Sequence, residues 1–461
     1  MNPLFIETYH SLPYPLKCAA ATIWGRHLKS RRYGGETEEK VRQALERETW
    51  TPEKWRQWTS ERLAAMLHAA ATQVPYYENY WRERRQKGDR SSWEDLRNWP
   101  ILEKETLRRS ARAFVVRGAS PRRLVQDSTS GSTGTPLDIW ISLETLRAWY
   151  ALFEARWRRW HGVNLESRWA ILGGQRVASA RRTKPPFWVW NGAFHQLYLS
   201  SYHISAETAG AYFDALHQHK VEYIYAYPSA LQALCQAAGE NAKGPRLKVV
   251  LTNAEPLYEE QRKIIARVFD CPVRETYGMS ERVAAAGECA AGTLHLWPEA
   301  GILEMEGGPG RSSDLICTGL MNEQMPLIRY RVGDRGVPAE AGTVCSCGRT
   351  LPAIGRIEGR SDDFIVTPEG RVIGRLDPVF KAGFPIREAQ IVQDDSLKIL
   401  LRIVPAGGYD AAAQERLVKA FKDYVGNVTV AVEILEKIPR GANGKFRAVV
   451  RCPAPLSGAG A

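Results

Sequence analysis

Hydroxyl-bearing residues and glycines are concentrated in one nine-residue stretch, residues 128–136, which reads STSGSTGTP. Such a segment offers backbone N–H groups and hydroxyl donors with little steric cover, which is what a triphosphate requires. No lysine follows its second glycine, so it is not the P-loop motif. The same composition suits a flexible turn, and the segment alone leaves phosphate binding and a turn both open.

Two later motifs could complete a nucleotide site. Residues 275–281 (ETYGMSE) combine an aromatic ring that can stack on a purine, a glycine that admits backbone, and Glu281, whose carboxylate could hold Mg²⁺. Residues 328–334 (IRYRVGD) place Asp334 after a glycine turn, where a carboxylate can accept both hydroxyls of a ribose. Each motif alone is also compatible with an ordinary surface turn.

Two more motifs lie toward the C-terminus. Residues 359–364 (GRSDDF) fall where two domains are predicted to join, and paired acids with an arginine suit a hinge. Residues 439–447 (PRGANGKFR) place Lys445 on a glycine-flanked loop. A lysine there is a mobile point charge that can reach phosphate oxygens in another domain's site.

Alternating elements position the middle motifs. The pattern predicts helices over 206–220, 228–240 and 258–269, with strands over 221–227, 247–252 and 273–276. This order implies parallel strands with right-handed crossovers. Ligands bind at the carboxyl ends of such strands, where residues 253–256 and 277–281 fall.

The whole chain is predicted to be an α/β protein, with parallel sheets flanked by helices and a small α+β lid. Residues 36–113 are expected to be helical, with helix starts at Thr51–Pro52 and Ser60 and a stop at Val74–Pro75. The predicted division is a helical segment (1–115) of the large domain, its nucleotide- and acyl-binding body (116–360), a mobile lid (361–451) and a disordered tail (452–461).

The order of these five motifs resembles the adenylate-forming superfamily of acyl- and aryl-CoA ligases. Within it the chain is similar to the phenylacetate–CoA ligase branch, and most of all to the CapK-like proteins of polysaccharide biosynthesis. Residues 226–229 (AYPS), 254–257 (AEPL) and 345–349 (CSCGR) carry that narrower resemblance, which runs from about residue 50 to 450.

The resemblance implies a site residue by residue. The ATP phosphates would be wrapped by Thr129, Ser130, Gly131, Thr133 and Gly134. Glu255 and Tyr277 would flank the adenine, Glu281 would ligate Mg²⁺, Asp334 and Arg360 would hold the ribose, and Asp362 would lie near the hinge. Lys445 would stabilise attack of a carboxylate on the α-phosphate, giving an acyl-adenylate and pyrophosphate.

The acceptor of the acyl group is less defined. In relatives the small domain rotates and a thiol, usually that of CoA, displaces AMP. Phenylacetate–CoA ligases follow the hinge with an Asn-Val-Phe-Pro segment, whereas residues 370–376 here read GRVIGRL. The alternatives are therefore a hydroxyl or amine acceptor on a sugar or cofactor, and a non-catalytic scaffold in polysaccharide assembly.

A separate cluster could hold a structural metal ion. Cys289 and His295 closely follow Glu281, and Cys345 and Cys347 come about fifty residues later. Three cysteines and a histidine could form a closed, non-catalytic Cys₃His zinc site. Against it, the C-x-C spacing is tighter than usual, and free buried cysteines are common.

Charge and composition bear on partners and location. The net charge is +12, and residues 1–125 alone hold 24 basic and 15 acidic side chains. An anionic partner is favoured. The basic N-terminus could lie weakly on a membrane surface or be an ordinary helix with a basic end.

No RNA-binding motif accompanies the tryptophan-rich residues 140–190, so no nucleic acid is expected. Eight cysteines without a disulfide pattern indicate the cytoplasm.

Overall fold

The computed structural model describes most of the 461-residue chain. The described residues are 9–128, 137–175, 177–179, 182–306, 310–340, 342–359, 364–368, 372–374, 376–380, 384–426, 428–436, 438 and 449–452. Eleven α-helices lie within this part: α1 (Tyr14–Arg32), α2 (Thr37–Arg47), α3 (Pro52–Gln73), α4 (Pro75–Gln86), α5 (Lys104–Arg109), α6 (Leu143–Phe153), α7 (Ala206–Gln218), α8 (Pro228–Ala237), α9 (Glu259–Phe269), α10 (Asp377–Phe380) and α11 (Ala411–Val425).

Strands of the described part form one large sheet and three smaller ones. The strands are β1 (Leu124–Ser128), β2 (Asp138–Ser142), β3 (Trp169–Gly173), β4 (Trp188–Asn191), β5 (Gln196–Ser200), β6 (Tyr223–Ala226), β7 (Val249–Thr252), β8 (Val273–Gly278), β9 (Ala285–Glu288), β10 (Leu294–Leu296), β11 (Gly301–Met305), β12 (Ser313–Gly319), β13 (Tyr330–Pro338), β14 (Ala353–Gly359), β15 (Phe364–Val366), β16 (Val372–Gly374), β17 (Ile386–Asp394), β18 (Ile399–Pro405), β19 (Val430–Ile434) and β20 (Val449–Cys452).

The large sheet confirms the α/β class and corrects its detail. Its twelve strands run in the order β11-β12-β13-β14-β10-β9-β8-β7-β6-β3-β5-β4. Only the block β5-β3-β6-β7-β8 is parallel. The remaining strands join it antiparallel, because short connections such as the β9–β10 turn can link only antiparallel neighbours. The prediction of parallel sheets was therefore too simple, and the sheet is mixed.

The predicted alternation over residues 206–278 is confirmed. Helices α7, α8 and α9 alternate with strands β6, β7 and β8, all within a few residues of the expected bounds. Strand β7 is buried along its whole length, as expected for a strand covered on both faces. Apolar side chains of the helices pack on the sheet, among them Leu216, Leu231 and Ile265. The carboxyl ends of β6, β7 and β8 therefore share one edge.

The helical N-terminal region contains one wrong prediction. Helix α3 begins where expected: Pro52 occupies its first turn and the Thr51 hydroxyl accepts a hydrogen bond from the Lys54 amide at 3.3 Å. It does not begin again at Ser60 but runs unbroken to Gln73. Its buried residues, Trp55 and Met66 among them, lie on both sides of Ser60, so packing keeps the helix continuous.

The tryptophan- and arginine-rich segment after α6 belongs to the core. Arg156 has no exposed surface and donates to both oxygens of Glu299, at 2.7 and 2.8 Å. Arg158 is also buried and contacts Glu154 at 3.1 Å. Trp157 is also buried, and its ring packs against that of Trp297 with centroids 5.0 Å apart. These two arginines are paired inside the protein because a buried charge requires a partner.

The C-terminal unit is built around the four-stranded sheet β19-β18-β17-β20. Its apolar core joins β17 and β18 to helix α11 through Ile391, Leu401 and Phe421. This agrees with the small α+β unit expected there. The boundary at residue 361, the lid's mobility and the disorder of the tail stay predictions, because residues 360–363 and 453–461 lie outside the described part. No helix of the described residues is long and apolar enough to cross a membrane.

Candidate active site

Near the carboxyl end of β8, two hydrogen bonds join the motif at residues 275–281 to the motif at residues 328–334. The Tyr277 hydroxyl donates to Asp334 Oδ2 at 2.9 Å, and the Tyr330 hydroxyl donates to Glu281 Oε1 at 3.0 Å. Tyr330 and Asp334 both belong to β13. In the large sheet, the strands β14, β10 and β9 lie between β13 and β8. The sheet must therefore curl, and its curl brings the predicted magnesium and ribose ligands together.

Glu281 is a buried carboxylate with a cation beside it. Only 5% of the residue is exposed, and Lys104 at the start of α5 lies 3.4 Å from its Oε1. Burying a carboxylate is costly unless it is paired or ligates a metal. Lys104 and Tyr330 were not assigned from the sequence. Lys104 is separated from Glu281 by 177 residues and carries no motif, so no sequence signal could have identified it.

The two residues predicted to flank the adenine lie at the carboxyl ends of neighbouring strands. Glu255 follows β7, and its Oε2 accepts a hydrogen bond from the Ser229 amide in the first turn of α8 at 3.1 Å. Tyr277 lies on β8, next to β7 in the sheet. Glu255 and Tyr277 therefore stand at the same sheet edge, as the resemblance implied, although their contact with adenine stays a prediction.

Two buried amide oxygens near this edge lack partners. Within the described residues, Gln175 Oε1 and Asn253 Oδ1 are buried and accept no hydrogen bond. Gln175 follows β3 and Asn253 follows β7, so both lie at the carboxyl end of the parallel block. Buried acceptors are rarely left unsatisfied, because each costs about 1–3 kcal/mol. Donors such as the adenine amino group or ribose hydroxyls would fit them.

The predicted phosphate loop connects β1 to β2. These strands pair antiparallel, with Ser128 opposite Asp138, so the residues on either side of the loop lie next to each other. Arg282, next to Glu281, has a left-handed backbone with φ of 55° and donates to Asp127 Oδ2 at 2.9 Å. This buried arginine therefore fastens the strand that leads into the loop to the residue beside the predicted magnesium ligand.

Several predicted site residues cannot be placed. The five phosphate-loop residues, Arg360, Asp362 and Lys445 lie outside the described residues. Their assigned functions stay predictions from the resemblance.

A partly buried carboxyl group, Glu275 on β8, lies two residues before Tyr277. Burial, and then repulsion by Glu288, raise the pKa of Glu275 to about 7. Glu288 itself is held by Arg262, which donates to both of its oxygens at 3.0 Å. Glu275 therefore keeps its proton in the folded protein at pH values where the unfolded chain has lost it.

This shift gives a pH-dependent stability. Between pH 4.5 and about 7 only the folded chain holds the proton, so the free energy of unfolding falls as pH rises through this window. Glu275→Gln removes the cost of ionising this carboxyl group in the folded protein. We expect the substitution to raise the free energy of unfolding at pH 8 by on the order of 2–3 kcal/mol more than it does at pH 4. Urea unfolding of both proteins across this range measures the difference. The exposed Glu260→Gln serves as control, and an equal change in that variant would contradict the assignment to Glu275.

The four predicted zinc ligands lie together. Their ligand atoms, from Cys289, His295, Cys345 and Cys347, all fall within 4.8 Å of one another. Cys289 lies in the turn that follows β9 and His295 lies on β10, whereas Cys345 and Cys347 lie in the loop between β13 and β14. Since β10 pairs with β14, the sheet itself brings the two loops together.

The spacing of these atoms suits a tetrahedral ion. The Sγ atoms of Cys289 and Cys345 are 3.6 Å apart, and Cys347 Sγ lies 3.4 Å from His295 Nε2. Zinc bonds of about 2.3 Å to sulfur imply sulfur–sulfur separations of about 3.8 Å. The other ring nitrogen, Nδ1, lies 3.0 Å from the Leu351 carbonyl oxygen, which accepts its proton and leaves Nε2 free to bind a metal. The residues therefore fit the ion.

Comparisons with known proteins agree with this architecture. The sequence profile described as AMP-binding enzyme matches residues 57–303, and the CapK C-terminal domain matches residues 365–452. Protein CapK of Staphylococcus aureus is 24% identical over 382 residues, covering 81% of this chain and 84% of that protein. A phenylacetate-coenzyme A ligase of Thermus thermophilus is 24% identical over 455 residues, covering 88% and 98%.

The fold also matches solved structures. A crystal structure of 2-hydroxyisobutyryl-CoA ligase, in complex with 2-HIB-AMP and CoA in its thioesterification state, superposes with a TM-score of 0.55. The superposition covers 88% of this chain and 91% of that chain, which are 20% identical in sequence. The two proteins therefore share a fold. The AMP-binding enzyme profile spans more than half of the chain. The protein therefore belongs to the AMP-binding enzyme family, and the resemblance to adenylate-forming ligases is confirmed.

Proposed function

We propose that this protein activates a carboxylic acid with ATP and transfers the acyl group to CoA. In the first step a carboxylate oxygen attacks the α-phosphorus, the bond to the β-phosphate breaks, and pyrophosphate leaves. In the second step the CoA sulfur attacks the acyl carbon, the thiol proton is released, and AMP leaves. The two hydrogen bonds that link Tyr330 to Glu281 and Tyr277 to Asp334 support the proposal, because they bring the proposed magnesium ligand close to the proposed ribose ligand.

Each residue has a part in the first step. Glu281 would hold Mg²⁺, which neutralises charge on the triphosphate as the carboxylate approaches. Asp334 would accept the ribose hydroxyls while Tyr277 holds its carboxylate in place. Thr129, Ser130, Gly131, Thr133 and Gly134 would surround the phosphates. Lys445 would bring the second cation to the reacting phosphate, and Arg360 would support the ribose.

CoA is favoured as acceptor by the phenylacetate-coenzyme A ligase that aligns over nearly its whole length. A hydroxyl or amine acceptor is the second candidate. It is supported by the CapK C-terminal match over residues 365–452, which include the segment 370–376 that differs from the Asn-Val-Phe-Pro segment of phenylacetate–CoA ligases. A link to polysaccharide biosynthesis would follow from that second candidate.

Product analysis separates the two acceptors. The protein is incubated with ATP, Mg²⁺ and an acid that supports adenylation, with and without CoA, and the products are analysed by mass spectrometry. We expect acyl-CoA and AMP to accumulate together only when CoA is present. Acyl-adenylate that persists in the presence of CoA would exclude the thiol acceptor and favour the second candidate. Lys445→Ala is the negative control.

For the cysteine cluster we propose a structural zinc ion held by Cys289, His295, Cys345 and Cys347. The ion would tie the turn that follows β9 to the loop that follows β13. Glu48 anchors the same loop to the helical region, because its carboxylate accepts from Arg349 at 2.8 Å. With four protein ligands the ion would have no open position, so its contribution is to stability rather than to the reaction.

A further inference from the structure

Helix α1 carries an apolar face that points into solvent. Leu16, Ile23 and Trp24 are 53%, 67% and 61% exposed. They make up half of the six large hydrophobic side chains that are exposed in the described part of the chain, and the other three lie far apart in sequence. Single exposed apolar residues are normal, but a group on one helix marks an interaction surface.

The opposite face of α1 is fixed to the body of the protein. Gly25 lies against the Asn191 side chain, whose Oδ1 and Nδ2 would be only 2.2 and 2.6 Å from a Cβ added there. The Thr22 hydroxyl accepts from the Gly192 amide at 2.9 Å, and Cys18 Sγ accepts from the Trp190 amide at 3.4 Å. Because β4 and the turn after it hold the helix in place, its outer face is presented in a constant orientation.

Basic side chains continue the exposed face. Residues 9–33 contain five Lys and Arg side chains and no acidic one; Lys17 is buried and Lys29 pairs with Glu166 at 3.1 Å, which leaves three arginines. Arg26 and His27 are exposed one turn beyond Ile23, and the His27 ring stacks on Trp24 with centroids 5.1 Å apart. Leu16, Ile23 and His27 fall at i, i+7 and i+11, so apolar and basic groups share one side of the helix.

We propose that this face of α1 binds an anionic lipid surface, with the helix lying in the plane of the interface. Tryptophan, isoleucine and leucine would enter the headgroup boundary, and Arg26 and Arg31 would meet the anionic headgroups. The stripe from Leu16 to Arg31 is about 22 Å long at 1.5 Å per residue, so the whole helix can lie flat. Charge complementarity selects lipid over another copy of this chain, whose face is equally basic.

Sedimentation with vesicles tests the proposal on the full chain. Vesicles contain phosphatidylcholine alone or with roughly 30% phosphatidylglycerol, at low and high NaCl. We expect binding to the anionic vesicles only, weakened as salt screens the charges. Ile23→Ser combined with Trp24→Ser is expected to lower the partition coefficient about tenfold. Arg26→Gln combined with Arg31→Gln is expected to lower it on anionic vesicles as well.

Val344→Ser is the matched control, because Val344 is 92% exposed elsewhere on the surface. It should bind vesicles as the wild type does, and thermal melting should show that all variants are folded. Failure of the wild type to bind anionic vesicles at low salt would overturn the proposal, as would equal loss in the control. So would a wild-type dimer that Ile23→Ser with Trp24→Ser dissociates, since a second copy would then cover the face. No residue of α1 enters the candidate active site, so the outcome is independent of the proposed reaction.

Discussion

Glu281→Gln is expected to lower the rate of ATP–pyrophosphate exchange by at least about a hundredfold, the loss seen when one transition-state charge contact is removed. The substitution keeps the side chain's shape and its ability to accept from Tyr330, but it removes the negative charge that would hold Mg²⁺. It also leaves Lys104 without its buried counter-charge. The rate is measured with saturating ATP, Mg²⁺ and a substrate acid.

Two controls separate a loss of chemistry from a loss of structure. Glu323→Gln removes a carboxylate that pairs with Arg62 on the surface, and it should leave the exchange rate unchanged. Tyr330→Phe keeps the charge of Glu281 and removes the hydrogen bond that it accepts from the Tyr330 hydroxyl, so we expect a smaller loss, of about tenfold. Exchange that survives in Glu281→Gln at the wild-type rate would show that this carboxylate does not serve the reaction.

Cys345→Ser is expected to abolish zinc binding and lower the melting temperature by about 3 °C, which corresponds to roughly 3 kcal/mol for a chain of this size. The wild type should contain one zinc ion per chain by elemental analysis. A metal ion at the four ligands would join two loops that otherwise meet only through packing and hydrogen bonds. Chelation of the wild type should reproduce the destabilisation.

Cys271→Ser provides the matched control for this experiment. Cys271 is also buried, but it lies in the hydrophobic cluster behind the parallel strands and not among the four ligands. Its variant should keep the full zinc content. If the wild type holds no zinc after preparation in zinc-containing medium, or if Cys271→Ser loses as much metal as Cys345→Ser, the zinc proposal is wrong.

Local signals predicted much of the fold. The alternation of residues 206–278 identified three helices and three parallel strands, because each element is short, periodic and bounded by turn residues. Proline at the start of α3 and α8 located both beginnings. The same reasoning placed Glu255 and Tyr277 at one sheet edge, since the carboxyl ends of neighbouring parallel strands must meet there.

Features set by distant parts of the chain were not predictable. The antiparallel additions to the large sheet depend on which strands pair, and the curl that brings β13 to β8 depends on the accumulated twist of several strands. Lys104 reaches Glu281 only because of that curl. Serine at position 60 suits a helix cap and predicts a helix start, but the packing of α3 on both sides of Ser60 keeps the helix continuous.

ATP–pyrophosphate exchange across aryl, fatty, amino and sugar acids tests the central claim most directly, namely that this site adenylates a carboxylic acid. The account predicts Mg²⁺-dependent exchange with one class of acid, lost in Glu281→Gln and in Lys445→Ala. Measurable ATP binding without exchange for any acid in the panel would contradict the account and favour a non-catalytic scaffold.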